Sequence, residues 1–517
     1  MNQVVLSAKH KLVGVPTAGD LATLFPTAKR VTYEGNELML IPHDIVTTKL
    51  LQGMGHDVPP PVLSHYDWEG GKPFDVQRKT VAMLTSNQRA YVLNGMGTGK
   101  TKAALWAWRY LNRAGFAKKL LVVAPLSTLN FTWAREIFNT LPDTKVAVLY
   151  GDRKKRHKLL DDPDTEVFII NHDGLGVVAD ALSSRLDIDS VVLDELATYR
   201  NGTAERTKVT RRVTARMKWL WGMTGSPTPN SPTDAWGQCS IVTPHTVPPY
   251  FNRFRDEVMV KLTQFKFIPK KEATEKVFAV MQPSVRFTLD DVVELPDLVE
   301  RTIDVEMGPK QKLVYQQMKE HALAQVASQE ITAMNAGAVL SKLLQISTGY
   351  VYTRDKKVIA LDNSERMTAL VDAVNSTDRK VIVFVPFVHA LQAIKARLDK
   401  EGYDTRAVSG ATPKKERDEI FTLFQNTNKV RVIVAHPQCM SHGLTLTAAD
   451  TIIWFAPLAN LEIFEQANAR IRRIGQKHKQ QILMLQSTPA EKTVYTKLRG
   501  KQKVQNMLLD MFAEATI

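Results

Sequence analysis

An α/β architecture of two doubly wound parallel-sheet lobes follows from three features of the sequence. Short Val/Ile-rich runs recur in two series, helix-like stretches lie between the runs, and a Pro-rich stretch separates the series. The first series is AYVLNG at 90–95, KLLVVAP at 119–125, KVAVLYG at 145–151, EVFIINH at 166–172, SVVLDE at 190–195 and WLWGMTG at 219–225. Runs this short, without polar alternation, predict strands buried on both faces, as in a parallel sheet. TKAALWAWRYLNRAG, which follows the first run, reads as the crossover helix that such a sheet requires. The second series begins after residue 380 with KVIVFVPF, TRAVSG, KVRVIVAHP, DTIIWFAP and QQILMLQ.

The remaining segments complete the expected division. Residues 1–68 form a small amino-terminal accessory domain closed by the Pro59–Pro61 run, and the stretch around Tyr33-Glu34-Gly35-Asn36 predicts a hairpin followed by a helix. The first lobe is expected over 69–240 and an insertion and linker over 241–300, opening with VTPHTVPPY and carrying the basic run KFIPKK at 266–271. The second lobe is expected over 301–517, with helical patterns at 309–348.

Composition narrows the class. Of 517 residues, 44% are hydrophobic and 23% charged, which supplies packed cores and excludes a disordered chain. No apolar run approaches the ~18 residues of a membrane span, and the amino terminus lacks a secretory apolar stretch, so no membrane partner is expected. Two cysteines, Cys239 and Cys439, make no disulfide framework, and a reducing cytoplasm is the expected compartment. The formal charge is +15. That excess suits a polyanion, since each cation meeting a phosphate releases counterions, and it equally suits a plain basic surface.

The motif NGMGTGKT at 94–101 follows a predicted buried strand and opens a helix. Gly97 and Gly99 allow the backbone, with Thr98 between them, to turn several N–H groups toward one anion at a helix amino terminus. Lys100 can then reach the β- and γ-phosphates of ATP, and Thr101 can offer its hydroxyl to Mg²⁺. Asn94 stands where the strict pattern has Gly, so this is a relaxed variant. Asp194 and Glu195 follow a later strand of the same series. There Asp194 holds the metal and Glu195 polarises the attacking water. Together the two sites predict a nucleoside triphosphatase.

Four further motifs appear in order: LDELATYRN at 193–201, GMTGSPTPNSPTDAW at 222–236, HGLTLTAADTIIWFAP at 442–457 and QANARIRRIGQ at 466–476. Together they resemble the superfamily-2 helicase core, specifically the Swi/Snf-type DNA translocases, from about residue 70 to residue 490. The resemblance implies two RecA-like lobes with ATP and Mg²⁺ between them. It implies that Gln77 reads adenine with Phe74 as apolar support, and that Thr224 and Ser226 couple ATP state to the nucleic-acid track. Gln466, Arg470 and Arg473 would close onto the γ-phosphate, with the two arginines three apart on one helical face. Ser127, Thr128, Thr412, Lys414 and Lys415 are the candidate phosphate contacts along the strand.

The departures from the family pattern are specific. Ala197 stands where the acidic motif often carries His, Thr445 where Asn is usual, and Pro457–Asn460 replaces a Trp-rich step. They suggest a bacterial or phage branch, and hence a bacterial or phage-infected cytoplasm. Residues 1–68 loosely resemble the substrate-recognition domain of annealing helicases, and read equally as a structural cap. The expected function is an ATP-dependent translocase on double-stranded or branched DNA with little sequence specificity. The alternatives are a strand-separating DNA or RNA helicase and a scaffold that has lost hydrolysis.

Overall fold

The computed structural model describes residues 4–17, 19–229, 231–263, 267–292, 295–327, 333–352, 358–440, 445–498 and 500. Lys266 of the basic run, Asn230, residues 442–444 of the HGLTLTAAD motif and residues 501–517 of the expected second lobe therefore lie outside the described residues. Two compact units separate at Val292.

The first unit begins with β1 (Val5–Ser7), β2 (Leu12–Pro16), β3 (Lys29–Tyr33) and β4 (Asn36–Pro42), in an antiparallel sheet of order β1-β2-β4-β3. The β3–β4 turn is two residues long with positive φ at both Glu34 and Gly35, a geometry that matches the twist of a hairpin. The predicted helix follows at Ile45–Gly53, capped by Asp44, whose Oδ1 accepts from Thr47 N at 2.9 Å. Val13, Val15, Met39, Ile41 and Leu51 give this sheet its own core. His43, just past β4, donates from Nε2 to Pro59 O at 2.8 Å, which leaves its Nδ1 to accept from His65 Nε2 at 2.8 Å.

The large sheet of this unit is built from β5 (Arg89–Val92), β6 (Lys119–Ala124), β7 (Val146–Val148), β8 (Val167–Asn171), β9 (Ile188–Leu193) and β10 (Trp219–Met223). A small hairpin, β11 (Met259–Lys261) and β12 (Phe267–Pro269), precedes β13 (Ser284–Val285). β13 joins the large sheet, whose order is β13-β5-β10-β9-β6-β8-β7 with every pairing parallel. Alternate residues feed opposite faces. Tyr91, Leu93, Leu121 and Val123 enter one core, while Ala90, Val92, Leu120 and Val122 enter the other. This is the doubly wound arrangement that the unbroken apolar runs predicted.

The stretch 241–300, read from its sequence as insertion and linker, is substantially folded. Its helices Phe251–Val258 and Ala273–Val280 bury Phe254, Val258, Ala273 and Val277 in the first unit's core, and β13 extends that unit's sheet.

The second unit opens with β14 (Leu298–Asp304), the helices Pro309–Ala327 and Ala333–Ser347, and a short ribbon of β15 (Tyr350–Tyr352) and β16 (Val358–Ala360). Its main sheet adds β17 (Lys380–Phe384), β18 (Thr405–Val408), β19 (Val432–Ala435), β20 (Ala449–Trp454) and β21 (Gln480–Gln486). All strands of this sheet are parallel, in the order β14-β21-β20-β17-β19-β18. Again alternate residues divide, with Ile382 and Phe384 in one core and Val381 and Val383 in the other. Both lobes are thus parallel α/β sheets of RecA-like, doubly wound character.

Candidate nucleotide-binding site

β5 ends in the core at Val92 and Leu93, and the chain then turns through residues 94–99 into the helix Lys100–Arg113. Gly97 and Gly99 have φ of +79° and +78°. The positive φ favours glycine at 99, and a Cβ there would stand 2.2 Å from Gln77 Nε2 and displace that side chain. Lys100 Nζ bends over the loop and donates to the carbonyls of Asn94 and Gly95, each at 2.9 Å. Thr98, buried, donates its hydroxyl to Gly95 O at 2.9 Å, and Thr101 lies half-buried in the helix's first turn.

Asn94 turns out to brace the loop. It is buried, donates from Nδ2 to Thr80 Oγ1 at 3.0 Å, and accepts at Oδ1 from Phe287 N at 2.9 Å. A glycine here would leave the buried Phe287 N–H without that acceptor, at a cost of about 1–3 kcal/mol. Gly95 N meanwhile donates to Phe287 O at 2.7 Å, and a Cβ on Gly95 would reach the buried Arg286 guanidinium at 3.4 Å. The segment after β13 therefore shapes the phosphate loop, a contribution without any motif in the sequence.

Gln77 and Phe74 are brought to the same place. Gln77 Oε1 accepts from Phe74 N at 2.9 Å, its Nε2 faces Gly99 O at 3.4 Å, and the Phe74 ring is 40% exposed.

The acidic pair follows β9, separated from β5 by β10 alone. Asp194 is oriented through both oxygens, Oδ2 accepting from Trp133 Nε1 at 2.9 Å and Oδ1 from Glu195 N at 3.0 Å. Desolvation pushes its carboxyl above the ordinary aspartate range, opposed by Trp133, by the nearby Lys100 ammonium and by the Glu195 N–H. Trp133 lies in the stretch APLSTLNFTWAREI at 124–137, and its bond to the acidic motif is invisible without the fold. Glu195 has φ +49° and ψ +55°, a left-handed conformation that costs a non-glycine residue roughly 1–2 kcal/mol.

Two further turns surround this centre. Thr224 N donates to Val92 O at 3.1 Å and Thr224 Oγ1 accepts from Ser226 N at 3.1 Å; a Cβ on Gly225 would lie 3.7 Å from Asn94 O. The expected coupling turn thus packs directly on the phosphate loop. Beyond the acidic pair, Ala197 is buried, and the motif instead meets the end of β8 through Tyr199, whose hydroxyl lies 2.8 Å from His172 Nδ1.

The outlying candidates of this unit divide. Ser127 is exposed, whereas Thr128 is buried with its hydroxyl donating to Pro125 O at 2.9 Å, so its side chain shapes the turn. In the basic stretch GDRKKRHK at 151–158, Arg156 is buried and pins the loop through Gly151 O at 2.9 Å and Leu149 O at 2.7 Å, leaving Arg153, Lys154 and Lys155 exposed.

In the second unit, Gln466 is buried on the helix Leu461–Asn468, its Nε2 donating to Glu462 Oε1 at 3.3 Å. The helix ends at Asn468, so Arg470 and Arg473 do not share a helical face; this corrects the spacing argument. Both stand on the turns that follow, Arg470 donating from Nε to Gln466 O at 2.7 Å and Arg473 to Ala469 O at 3.1 Å. Asn468 Oδ1 accepts from Trp454 Nε1 at 2.9 Å, and Gly475 adopts φ +96° in the turns that follow. Arg473 also donates to Thr445 Oγ1 at 3.2 Å, so the threonine at the usual asparagine position retains an acceptor. Desolvation lowers the Arg473 guanidinium to about 10, still a full cation at neutral pH. Thr412 Oγ1 accepts from Ser409 N at 3.0 Å, and Lys414 and Lys415 are exposed in the first turn of the helix Lys414–Asn426.

A phosphate-cradling loop and an oriented acidic pair on one parallel sheet, in a chain with a second such sheet, define a helicase-type P-loop ATPase. The SNF2-related domain family matches residues 77–351 and the helicase conserved C-terminal domain residues 365–475, and the chain belongs to the SNF2-related family. Protein p41 of Acyrthosiphon pisum secondary endosymbiont phage 1 is 25% identical over 85% of this chain and 98% of its own length. An ATP-dependent helicase of Mycoplasma pneumoniae is 24% identical over 95% of this chain. The chain spans 45% of that bacterial relative's length. Among solved structures, the Sulfolobus solfataricus SWI2/SNF2 ATPase core in complex with dsDNA aligns with a TM-score of 0.42 at 21% identity, over 87% of this chain and 95% of that one. Among the described residues no helix is long and apolar enough to cross a membrane.

Proposed function

We propose that the chain is a nucleic-acid-stimulated ATPase that translocates on double-stranded DNA and remodels branched or protein-bound DNA. The observation that carries the reading is the convergence of Lys100, the Asp194–Glu195 pair and the Gly225 turn on one loop. The turn that abuts the loop is the family's coupling element, so nucleotide state can be passed from the phosphate site to the track.

In this reading Lys100 and the loop amides hold the β- and γ-phosphates, Gln77 and Phe74 receive the adenine, and Glu195 takes the proton of the attacking water. The cradle fits a magnesium nucleotide: Thr101 and Asp194 would hold Mg²⁺, which supplies neutralisation of the phosphate charge. Arg470 and Arg473 contribute the cations that stabilise charge on the transferring phosphoryl group, and Gln466 adds a neutral hydrogen-bonding amide. Ser127, Thr412, Lys414 and Lys415 contact strand phosphates, with Thr128 supporting the turn. Backbone contacts of this kind carry no base information, hence the low sequence specificity. The +15 charge supports a polyanionic track.

The test is ATP turnover on single-stranded, duplex and forked DNA and on RNA at several salt concentrations. Turnover is expected to be low alone and strongly raised by duplex or forked DNA, with a steep salt dependence. Equal turnover with and without nucleic acid removes the translocase reading, and a response confined to RNA removes the DNA assignment.

A further inference from the structure

Glu195 leads into a short piece of chain that takes no part in the chemistry assigned above. The 3₁₀ turn Leu196–Tyr199 follows it directly, and Thr198 N closes back on Glu195 O at 2.9 Å. Leu196, Ala197 and Tyr199 are buried. Two glycines let neighbouring elements close on this turn. A Cβ at Gly222 of β10 would stand 2.6 Å from Leu196 Cδ2, and one at Gly237, in the helix Asp234–Val242, would stand 2.2 Å from Tyr199 O. The turn is thus one packed piece with the carboxylate-bearing residue at its head.

The far end of that piece is tethered through a single hydroxyl. Tyr199 has no exposed surface, and its oxygen lies 2.8 Å from His172 Nδ1. Its second partner is Thr210, buried on the helix Glu205–Thr214, whose own proton goes to Arg206 O at 2.9 Å. Burial pushes the phenol well above its ordinary value, so it stays a neutral O–H. His172 is itself fixed. It is the first residue beyond β8 and is buried, and both its neighbours are held: Asn171 Oδ1 accepts from Arg156 at 3.4 Å, and Asp173 Oδ1 from Arg206 Nε at 2.8 Å.

A phenylalanine would fill the same space in the surrounding apolar cluster. The hydroxyl adds little net stability, because its bonds only replace bonds to water. What it adds is direction: the turn must be oriented to meet His172 and Thr210 together, and that orientation fixes where Glu195 stands. Proton transfer tolerates little error, since a misplacement of about 1 Å can cost about 100-fold.

We infer that Tyr199 is a positioning residue for Glu195: its hydroxyl, held by His172, aims the carboxylate that takes the proton of the attacking water. The inference rests on the reading of Glu195 as the base and deepens it.

The test compares ATP turnover by variants of the full chain on duplex DNA. Tyr199→Phe is expected to lower kcat about tenfold, with KM for ATP within about twofold and the melting temperature at the parent's value. His172→Phe loses the same bond and is expected to show the same loss, and the double variant no more than either. His172→Gln, whose amide can still meet the hydroxyl, is expected to recover at least about half of the parent rate. In a Glu195→Gln background, Tyr199→Phe is expected to change single-turnover cleavage by less than about twofold, because no carboxylate remains to be aimed. A parent-like kcat in Tyr199→Phe beside a crippled Glu195→Gln overturns the positioning alone. So does a further loss in the Glu195→Gln background, or a fall in kcat matched by a fall in melting temperature, either of which assigns the hydroxyl to folding. If Tyr199→Phe does not fold, His172→Gln against His172→Phe carries the test. If Glu195→Gln itself turns over at the parent rate, the base reading fails and takes the positioning with it.

Discussion

The phosphate loop of the first unit and the arginine turn of the second differ in how far the groups that orient their functional residues reach. The loop is braced from distant parts of the chain. Asn94 reaches Thr80 and receives Phe287 N–H, Gln77 faces Gly99, and Gly225 packs on its backbone. In the turn, the Arg470 and Arg473 side chains each donate to the carbonyl four residues upstream and Arg473 also to Thr445, while Leu446 N and Trp454 Nε1 tie the backbone and Asn468 from outside. Damage to a brace of the loop should therefore spread to every group the loop positions. Damage in the turn should remain with the guanidinium removed.

The sharpest challenge to this contrast is Lys100→Ala. Removing the cation that meets the phosphates is expected to lower DNA-stimulated phosphate release by at least about 100-fold, with the melting temperature close to the parent's. A variant that turns over normally would end the assignment of this loop as the hydrolytic centre. Arg473→Ala is expected to reduce turnover by about tenfold to 100-fold, while binding of a fluorescent ATP analogue stays within about twofold, because the loss is confined to one guanidinium. Weakened nucleotide binding of the same size would erase the distinction between the two regions.

Asn94→Gly restores the strict motif yet removes a brace. Stability of the first unit is expected to fall by about 1–3 kcal/mol in urea titration, with nucleotide affinity falling too. An unchanged midpoint would mean that the Phe287 N–H finds another acceptor without cost. The smallest effect concerns the amino-terminal sheet. Burial, the His43 ring and Lys11 hold the His65 imidazole below its ordinary value. The unfolded chain therefore binds that proton more readily, and stability is lost as pH falls below about 6.5. Protection of the β4 amides, corrected for the intrinsic pH dependence of exchange, should fall between about pH 7.5 and about pH 5.5, and His65→Gln should flatten the change.

These contrasts also explain what the sequence could disclose. Although the edge strands β7 and β18 are half-buried, most of the strands β5 to β10 and β17 to β21 were legible because they are apolar runs buried on both faces. β13 and β14 were not: β13 is a two-residue strand, and β14 carries Glu300, Arg301 and Thr302 at an exposed sheet edge, so neither leaves an apolar signature. The phosphate loop and the acidic pair announced themselves by local spacing. Asn94 looked like a missing glycine, because its partners Thr80 and Phe287 are far away in the chain and close only in the fold. Trp133, which orients Asp194, was hidden for the same reason. The arginine pair was expected on one helix, and residue spacing alone does not reveal that the helix ends at Asn468, where Trp454 bonds the side chain.

The placement of β13 governs how this gene can be cut. Tyr91, Leu93 and Gly95 hand their amide protons to Pro283, Val285 and Phe287 in a row. A reading frame stopped near codon 240 would yield a polypeptide whose fuel-binding strand is left as a raw border, prone to recruit a stranger's backbone. One stopped after codon 292 would carry its own selvedge and stay soluble. Expression of the two truncations side by side would reveal which border nature drew.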